Sequence, residues 1–357
     1  MASTRTALVI LGASLGTLAA VGLVILYFFP SALQLIMVED NEEQDTETKI
    51  AVVTDANFTD EGWGESSLNA ARFIERKYNV TVAVEDNIPI PDIEMTLRKY
   101  AELDYDLIIA HGYQWGDPAL IVAESHPETK LIVFTGLVQS ENVASIFPQQ
   151  QEGSFLLGAL AGMMTKTGVI GFVGGEEYPN VINILEGYKQ GANWARENVT
   201  VIQTYLNDWD NPARGREAAT SMIRAGADFV LQVADSSGHG VIQAANENGA
   251  YALGAVQDQN HLAPQTVLTS FVLDVDKAYD DAVSMVLDGN FTGRIYRDGL
   301  ETGRGSSDSE GLVYLAPFHG LEGKVPEDVK NRLARLSEDI VTGKMSIPER
   351  LEPEVLS

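Results

Sequence analysis

From Ile50 to Leu287, short apolar runs alternate with longer amphipathic ones almost without exception. The short runs read as strands over Ile50–Thr54, Val80–Val84, Leu107–Ala110 and Lys130–Phe134. Between them the spacing predicts helices over Glu65–Tyr78, Ile93–Leu103 and Pro118–Glu124. In the first of these, Leu68, Ala71, Phe73 and Ile74 fall near one face. Asn142–Phe147 is extended, and Ser154–Met164 reads as an apolar helix whose Gly158 and Gly162 allow close approach to another element. The alternation then restarts. Strands are expected over Val169–Val173, Val201–Tyr205, Phe229–Val233, Ala252–Val256 and Val267–Phe271. The helices between and after them fall over Val181–Glu197, Ala213–Ala225, Gly240–Glu247, Val275–Leu287 and Val325–Thr342. Such a pattern demands parallel sheets covered on both faces.

Because the pattern restarts at Val169, two doubly wound lobes suit 357 residues better than one large sheet. A crossing between lobes is expected at Asn142–Gln151. A second is expected near Gln257–Pro264, where a strand ends in polar residues. The expected division puts 49–150 and about 258–292 in one lobe, and 151–257 and about 293–357 in the other. The fold class is therefore α/β: two parallel-sheet lobes joined by a hinge.

Ahead of this lies an apolar, uncharged stretch from Ala7 to Phe29, with Arg5 before it and Glu39, Asp40, Glu42, Glu43 and Asp45 after it. A membrane span takes roughly 20 residues, and basic residues favour the cytoplasmic side. Residues 1–38 are expected to anchor the chain with its bulk extracellular, and 39–48 to form an acidic tether. A cleaved signal segment is the alternative; no clear Ala-x-Ala site follows the run. The formal net charge of −27, from 51 acidic and 24 basic residues, makes nucleic acid an unsuitable partner. With no cysteine, disulfides, thiolate metal sites and cysteine nucleophiles are excluded.

The chemistry concentrates at strand ends, where open α/β sheets bind ligands. Asn207-Asp208-Trp209-Asp210-Asn211-Pro212 follows one strand, and Ala234-Asp235-Ser236-Ser237-Gly238 follows another. A flat indole with acceptor-only carboxylates suits a ligand that has a π-face and several donors. A capped turn with a half-buried tryptophan accounts for the same residues. Asp55 and Asp258 also end expected strands, and Asn57 offers both donor and acceptor. Tyr113 and Trp115, in the run His111 to Pro118, are placed to wall a cleft or to plug a turn. Ser236, Ser237 and Ser270 are minor hydroxyl candidates. Asn57, Asn79, Asn198 and Asn290 each begin an Asn-x-Thr tripeptide, and a sugar on Asn57 would obstruct the proposed cleft. Gly174-Gly175 lacks the spacing of a phosphate loop, and the five histidines show no i, i+4 metal pair. No cofactor and no metal are expected.

Val52-Val53-Thr54-Asp55, Gly62-Trp63, Phe155-x-x-Gly158, Gly171-Phe172-Val173-Gly174-Gly175, Glu186-Gly187-Tyr188-x-x-Gly191, Gly226-Ala227-Asp228 and Leu268-Thr269-Ser270 follow one another in an order that resembles the basic membrane protein family. These are surface substrate-binding proteins of ABC importers, with the type I periplasmic-binding-protein fold, that bind purine nucleosides or related ligands. The resemblance implies that Asp55, Trp63, Trp209 and Asp258 surround a purine. Two positions depart from the nucleoside-binding pattern. Thr135-Gly136 stands where an Asp is usual, and Leu273 where a Lys is usual. The Asn207–Pro212 run with Asp235-Ser236 is similar to a branch linked to free bases such as adenine, so base and nucleoside both stay open. The expectation is a tethered receptor that closes Trp63 and Trp209 on a purine and passes it to the membrane subunits of an importer. It is not expected to be an enzyme. The alternatives are the ectodomain of a signalling partner and, more remotely, a nucleoside-processing enzyme.

Overall fold

The computed structural model describes residues 48–300 and 311–352. The expected anchor, and all of the tether but its last residue, lie outside them. Among the described residues no helix is long and apolar enough to cross a membrane.

Two six-stranded sheets organise the described residues. The first contains β1 (Ile50–Thr54), β2 (Val82–Glu85), β3 (Leu107–His111), β4 (Lys130–Phe134), β5 (Val143–Ile146) and the late β11 (Ile295–Tyr296). Its order is β11-β5-β4-β3-β1-β2, and every pair is parallel. The second contains β6 (Val169–Gly174), β7 (Thr200–Tyr205), β8 (Phe229–Val233), β9 (Tyr251–Val256), β10 (Val267–Leu273) and β12 (Val313–Leu315). Its order is β12-β10-β9-β8-β6-β7, with only the β10–β12 pair antiparallel. Strands such as β1, β3, β8 and β10 are buried at every residue, which explains their unbroken apolar character.

The helices are α1 (Trp63–Tyr78), α2 (Ile93–Glu102), α3 (Gly116–Ser125), α4 (Gln150–Met164), α5 (Pro179–Ala195), α6 (Pro212–Arg224), α7 (Asp235–Asn248), α8 (Val275–Leu287) and α9 (Glu327–Val341). The glycines of α4 do meet a partner. A Cβ on Gly158 would lie 2.0 Å from the Tyr188 carbonyl oxygen, and one on Gly191 of α5 would lie 1.9 Å from that of Phe155. The two helices therefore cross backbone to backbone.

The first crossing falls just after β5, within the expected stretch. The second does not lie at Gln257–Pro264. That segment is a short 3₁₀ turn, Gln259–Leu262, and β10 stays in the second sheet beside β9. Residues 258–273 thus pack with the second lobe, correcting the expected division. The chain returns to the first lobe at Asp274, which caps α8 by accepting from the Lys277 N–H at 2.9 Å. There α8 binds α1: the Tyr78 hydroxyl donates to Asp280 Oδ1 at 2.8 Å and lies 2.7 Å from Ser284 Oγ. β11, expected in the second lobe, pairs with β5 in the first.

Candidate functional site

The carboxyl ends of both sheets line one cavity of about 90 Å³. The first lobe supplies the segment after β1, the turn after β3 and Thr135 after β4. The second supplies the start of α5, Trp209 after β7, Asp235 after β8 and Val256 at the end of β9.

Trp63, the first residue of α1, lines the cavity with a buried stack of rings beside it. Its ring centroid lies 4.0 Å from that of His111 and 5.5 Å from that of Phe134. His111 Nδ1 meets the Tyr279 hydroxyl at 2.8 Å, and burial pushes its pKa down to about 3, so the imidazole is neutral support for the indole. Trp209 comes from the opposite lobe and lies over the bare backbone of Gly175, where a Cβ would come within 2.1 Å of Trp209 Cε3. Tyr178 packs beside Trp209, with centroids 6.1 Å apart, and reaches Tyr113 of the first lobe at 6.0 Å. Aromatic contact therefore spans the lobes at the cavity.

Four carboxylates share this space: Asp55, Asp60, Asp210 and Asp235. Among the described residues no Lys, Arg or His side chain lines it. Asp55 Oδ1 accepts from the Trp115 indole N–H at 3.2 Å, and burial raises its carboxyl above the usual range. Asp60 accepts from the N–H groups of Gly62, Gly64 and Glu65 at 2.9, 2.7 and 3.1 Å, fastening the start of α1. Burial nevertheless raises it too. Asp235 opens α7 near Gly62 of the other lobe. Among the described residues no donor reaches its carboxylate. Burial first, then Asp60, Asp55 and Asp210, push it well above the ordinary carboxylate range.

The backbone around the cavity is strained. Thr135, Asn207, Asp235 and Val256 have φ of 60°, 51°, 45° and 70°, all at or just beyond strand ends. For β-branched Thr135 and Val256 this conformation is rarely adopted. Each such residue costs on the order of 1–3 kcal/mol and persists where its surroundings enforce it, as they do at ligand sites. Thr135 is fully buried, and among the described residues neither its Oγ1 nor Asn180 Oδ1 has a hydrogen-bond partner. Both residues line the cavity.

Of the residues singled out from sequence, Asp55, Asn57, Trp63, Tyr113, Trp209 and Asp235 line the cavity. Three do not. Trp115 is fully buried in the first lobe and acts on the cavity only by holding Asp55. Ser236 lies off the lining. Asp258 caps the 3₁₀ turn through the Asn260 N–H at 3.2 Å and meets His319 Nε2 at 2.6 Å. Asn57 is partly committed, since its Oδ1 accepts from the Thr59 N–H and hydroxyl at 2.8 and 2.7 Å. Sequence reasoning missed Asp60, Tyr178 and Asn180. The helix-capping preference of Asp ahead of α1 was the available signal for the first; Tyr178 carried only its place before Pro179, which starts α5.

A model of the PnrA-like ABC transporter substrate-binding proteins, the Bmp family, matches residues 47–328. The chain belongs to this family. Basic membrane protein A2 of Borrelia garinii subsp. bavariensis is 28% identical over 315 residues, covering 85% of this chain and 89% of that protein. A purine-binding protein of Brucella abortus is 28% identical over 255 residues, covering 71% of this chain and 69% of that protein. The crystal structure of an ABC transporter solute-binding protein from Aeropyrum pernix K1 superposes with a TM-score of 0.76 at 22% identity, covering 85% of this chain and 94% of that one. That likeness concerns the fold. The family is the one the Gly171–Gly175 and Glu186–Gly191 motifs resemble.

Proposed function

We propose that this family member binds a purine base or nucleoside in the interlobe cavity and delivers it to the membrane subunits of an importer, without chemical change to the ligand. One observation carries the reading: indoles from opposite lobes, Trp63 and Trp209, line a single cavity whose charged side chains are all carboxylates. The indoles offer faces to a flat heterocycle, and base–aromatic stacking is worth about 1–3 kcal/mol per base. The carboxylates accept from exocyclic amino, ring N–H or ribose hydroxyl groups. The same carboxylates repel phosphate, so a nucleotide is a poor occupant. The purine-binding relative supports the choice of ligand. The apolar run Ala7–Phe29 supports tethering to the membrane with the lobes outside.

Calorimetric titration with adenine, adenosine, guanosine, inosine and AMP tests the reading. Saturable binding of at least one base or nucleoside, with AMP far weaker, is expected. Binding of none of the four uncharged ligands would overturn it. Recovery of free base from added nucleoside would replace the receptor with an enzyme.

A further inference from the structure

The chain contains four Asn-x-Thr tripeptides: Asn57-Phe58-Thr59, Asn79-Val80-Thr81, Asn198-Val199-Thr200 and Asn290-Phe291-Thr292. Folding separates them into two kinds. Asn79 ends α1 with φ of 53° and precedes β2; Asn198 has φ of 62° and lies between α5 and β7; Asn290 follows α8 and precedes β11. All three therefore sit at the amino ends of parallel strands, while the cavity sits at the carboxyl ends. In each, the asparagine and the threonine are exposed. The middle residue packs inward: Val199 is buried, and Val80 and Phe291 lie against the core. In each tripeptide the centre is held against the protein while the two flanking residues stay exposed at the surface. Asn57 is the opposite case. It follows β1, is half-buried, lines the cavity, and engages its own threonine through Oδ1.

We propose that Asn79, Asn198 and Asn290 are N-glycosylation sites and that Asn57 is left bare. The proposal shares with the function above only the reading that the lobes are displayed outside the membrane. The donor is a sugar carried on a lipid phosphate or pyrophosphate. Asparagine Nδ2 forms a bond to the anomeric carbon and loses a proton to a base of the transferring enzyme. The bond from that carbon to the phosphate oxygen breaks, and the lipid phosphate leaves with the electron pair. Sugars at the three outer positions leave the cleft clear, two on the first lobe and one on the second. A sugar on Asn57 would occupy the cavity.

The test is peptide mass spectrometry on the full chain purified from the cells that make it, with single Asn79→Gln, Asn198→Gln and Asn290→Gln variants run alongside. Sugar mass on each of the three peptides, none on the Asn57 peptide, and one step of gel mobility lost per variant are the expected results. A bare asparagine at any of the three positions, or sugar on Asn57, would overturn the proposal. Proteolysis of intact cells reports separately whether the lobes are outside, and ligand titration whether the cavity binds purines. Bare sites on a surface-exposed, purine-binding protein would thus sink this proposal alone.

Discussion

At the scale of single residues, the two indoles and the unpaired acid carry different burdens. Trp209 rests on Gly175 and Tyr178 and is half-buried against the core, so truncating it removes a wall of the cavity. Trp209→Ala is expected to weaken the best purine at least about tenfold, since about 1.4 kcal/mol is a factor of ten; titration of the variant checks this, and unchanged affinity would remove Trp209 from the site. Asp235 has the opposite signature. Its folded-state pKa is raised by burial and by Asp60, Asp55 and Asp210, so the folded protein keeps a proton that the unfolded chain, with its usual value near about 3.9, has released. The stabilising contribution is present below that unfolded value and is lost as pH rises through the raised one. The ligand-free protein should therefore lose thermal stability as pH climbs above about 4, to an extent that Asp235→Asn reduces. An N–H donor on the ligand favours the ionised acid, so wild-type affinity should strengthen over the same range. Melting curves at stepped pH, with and without ligand, measure both slopes; a variant whose slope matches wild type would show that Asp235 does not titrate.

At the scale of elements, Gly175 at the end of β6 and Trp209 beyond β7 form one device, because only a bare backbone lets the indole lie where it does. Gly175→Ala should displace the ring and cost affinity nearly as much as Trp209→Ala, with an unaltered circular dichroism spectrum; full affinity in this variant would mean the ring has a second resting place. The strands were legible apart from the short edge strands β11 and β12, since burial on both faces imposes short unbroken apolar runs; the buried helix α4 carries a longer one, Phe155–Met164, and length separates the two. The crossings were less so. The polar segment Gln257–Pro264 looked like a passage between lobes but is a turn closed by Asp258, while the true passage, at Asp274, has the ordinary appearance of a helix cap. The two-residue β11 is too short to carry any pattern. The site shows the same limit. Asp55, Asp235 and Asp258 all follow strands, and position along the chain does not say where a carboxylate points: Asp258 turns to its own backbone and His319. Tyr178 and Asn180 belong to the start of a helix whose relation to the cleft is set by the other lobe.

For the whole molecule, the question is what holds two acidic lobes together. Gln257 Nε2 donates to the Gly62 carbonyl oxygen at 2.8 Å across the cleft, His239 Nε2 lies 3.9 Å from Glu61 Oε2, and Tyr113 meets Tyr178. Among the described residues such cleft contacts are few, and beside them one buried apolar cluster takes in Ile50 and Val52 of the first sheet and Ile170 and Phe172 of the second. Against them, closure brings Asp55 and Asp60 toward Asp210 and Asp235, in a chain of net charge −27. Self-repulsion of this kind destabilises the compact state and is relieved by salt. The Debye length falls from about 30 Å at 0.01 M to about 3 Å at 1 M, so charges across the cleft stop sensing one another over that range. The ligand-free protein should therefore have a larger radius of gyration at low salt than at 1 M, and a saturating purine should close it even at low salt. Gln257→Ala, which removes one cross-cleft bond without touching a residue that lines the cavity, should extend the open form to higher salt. Small-angle scattering across a salt series reads all three changes. A radius that ignores salt in both proteins would mean that packing, not charge, sets the position of the lobes.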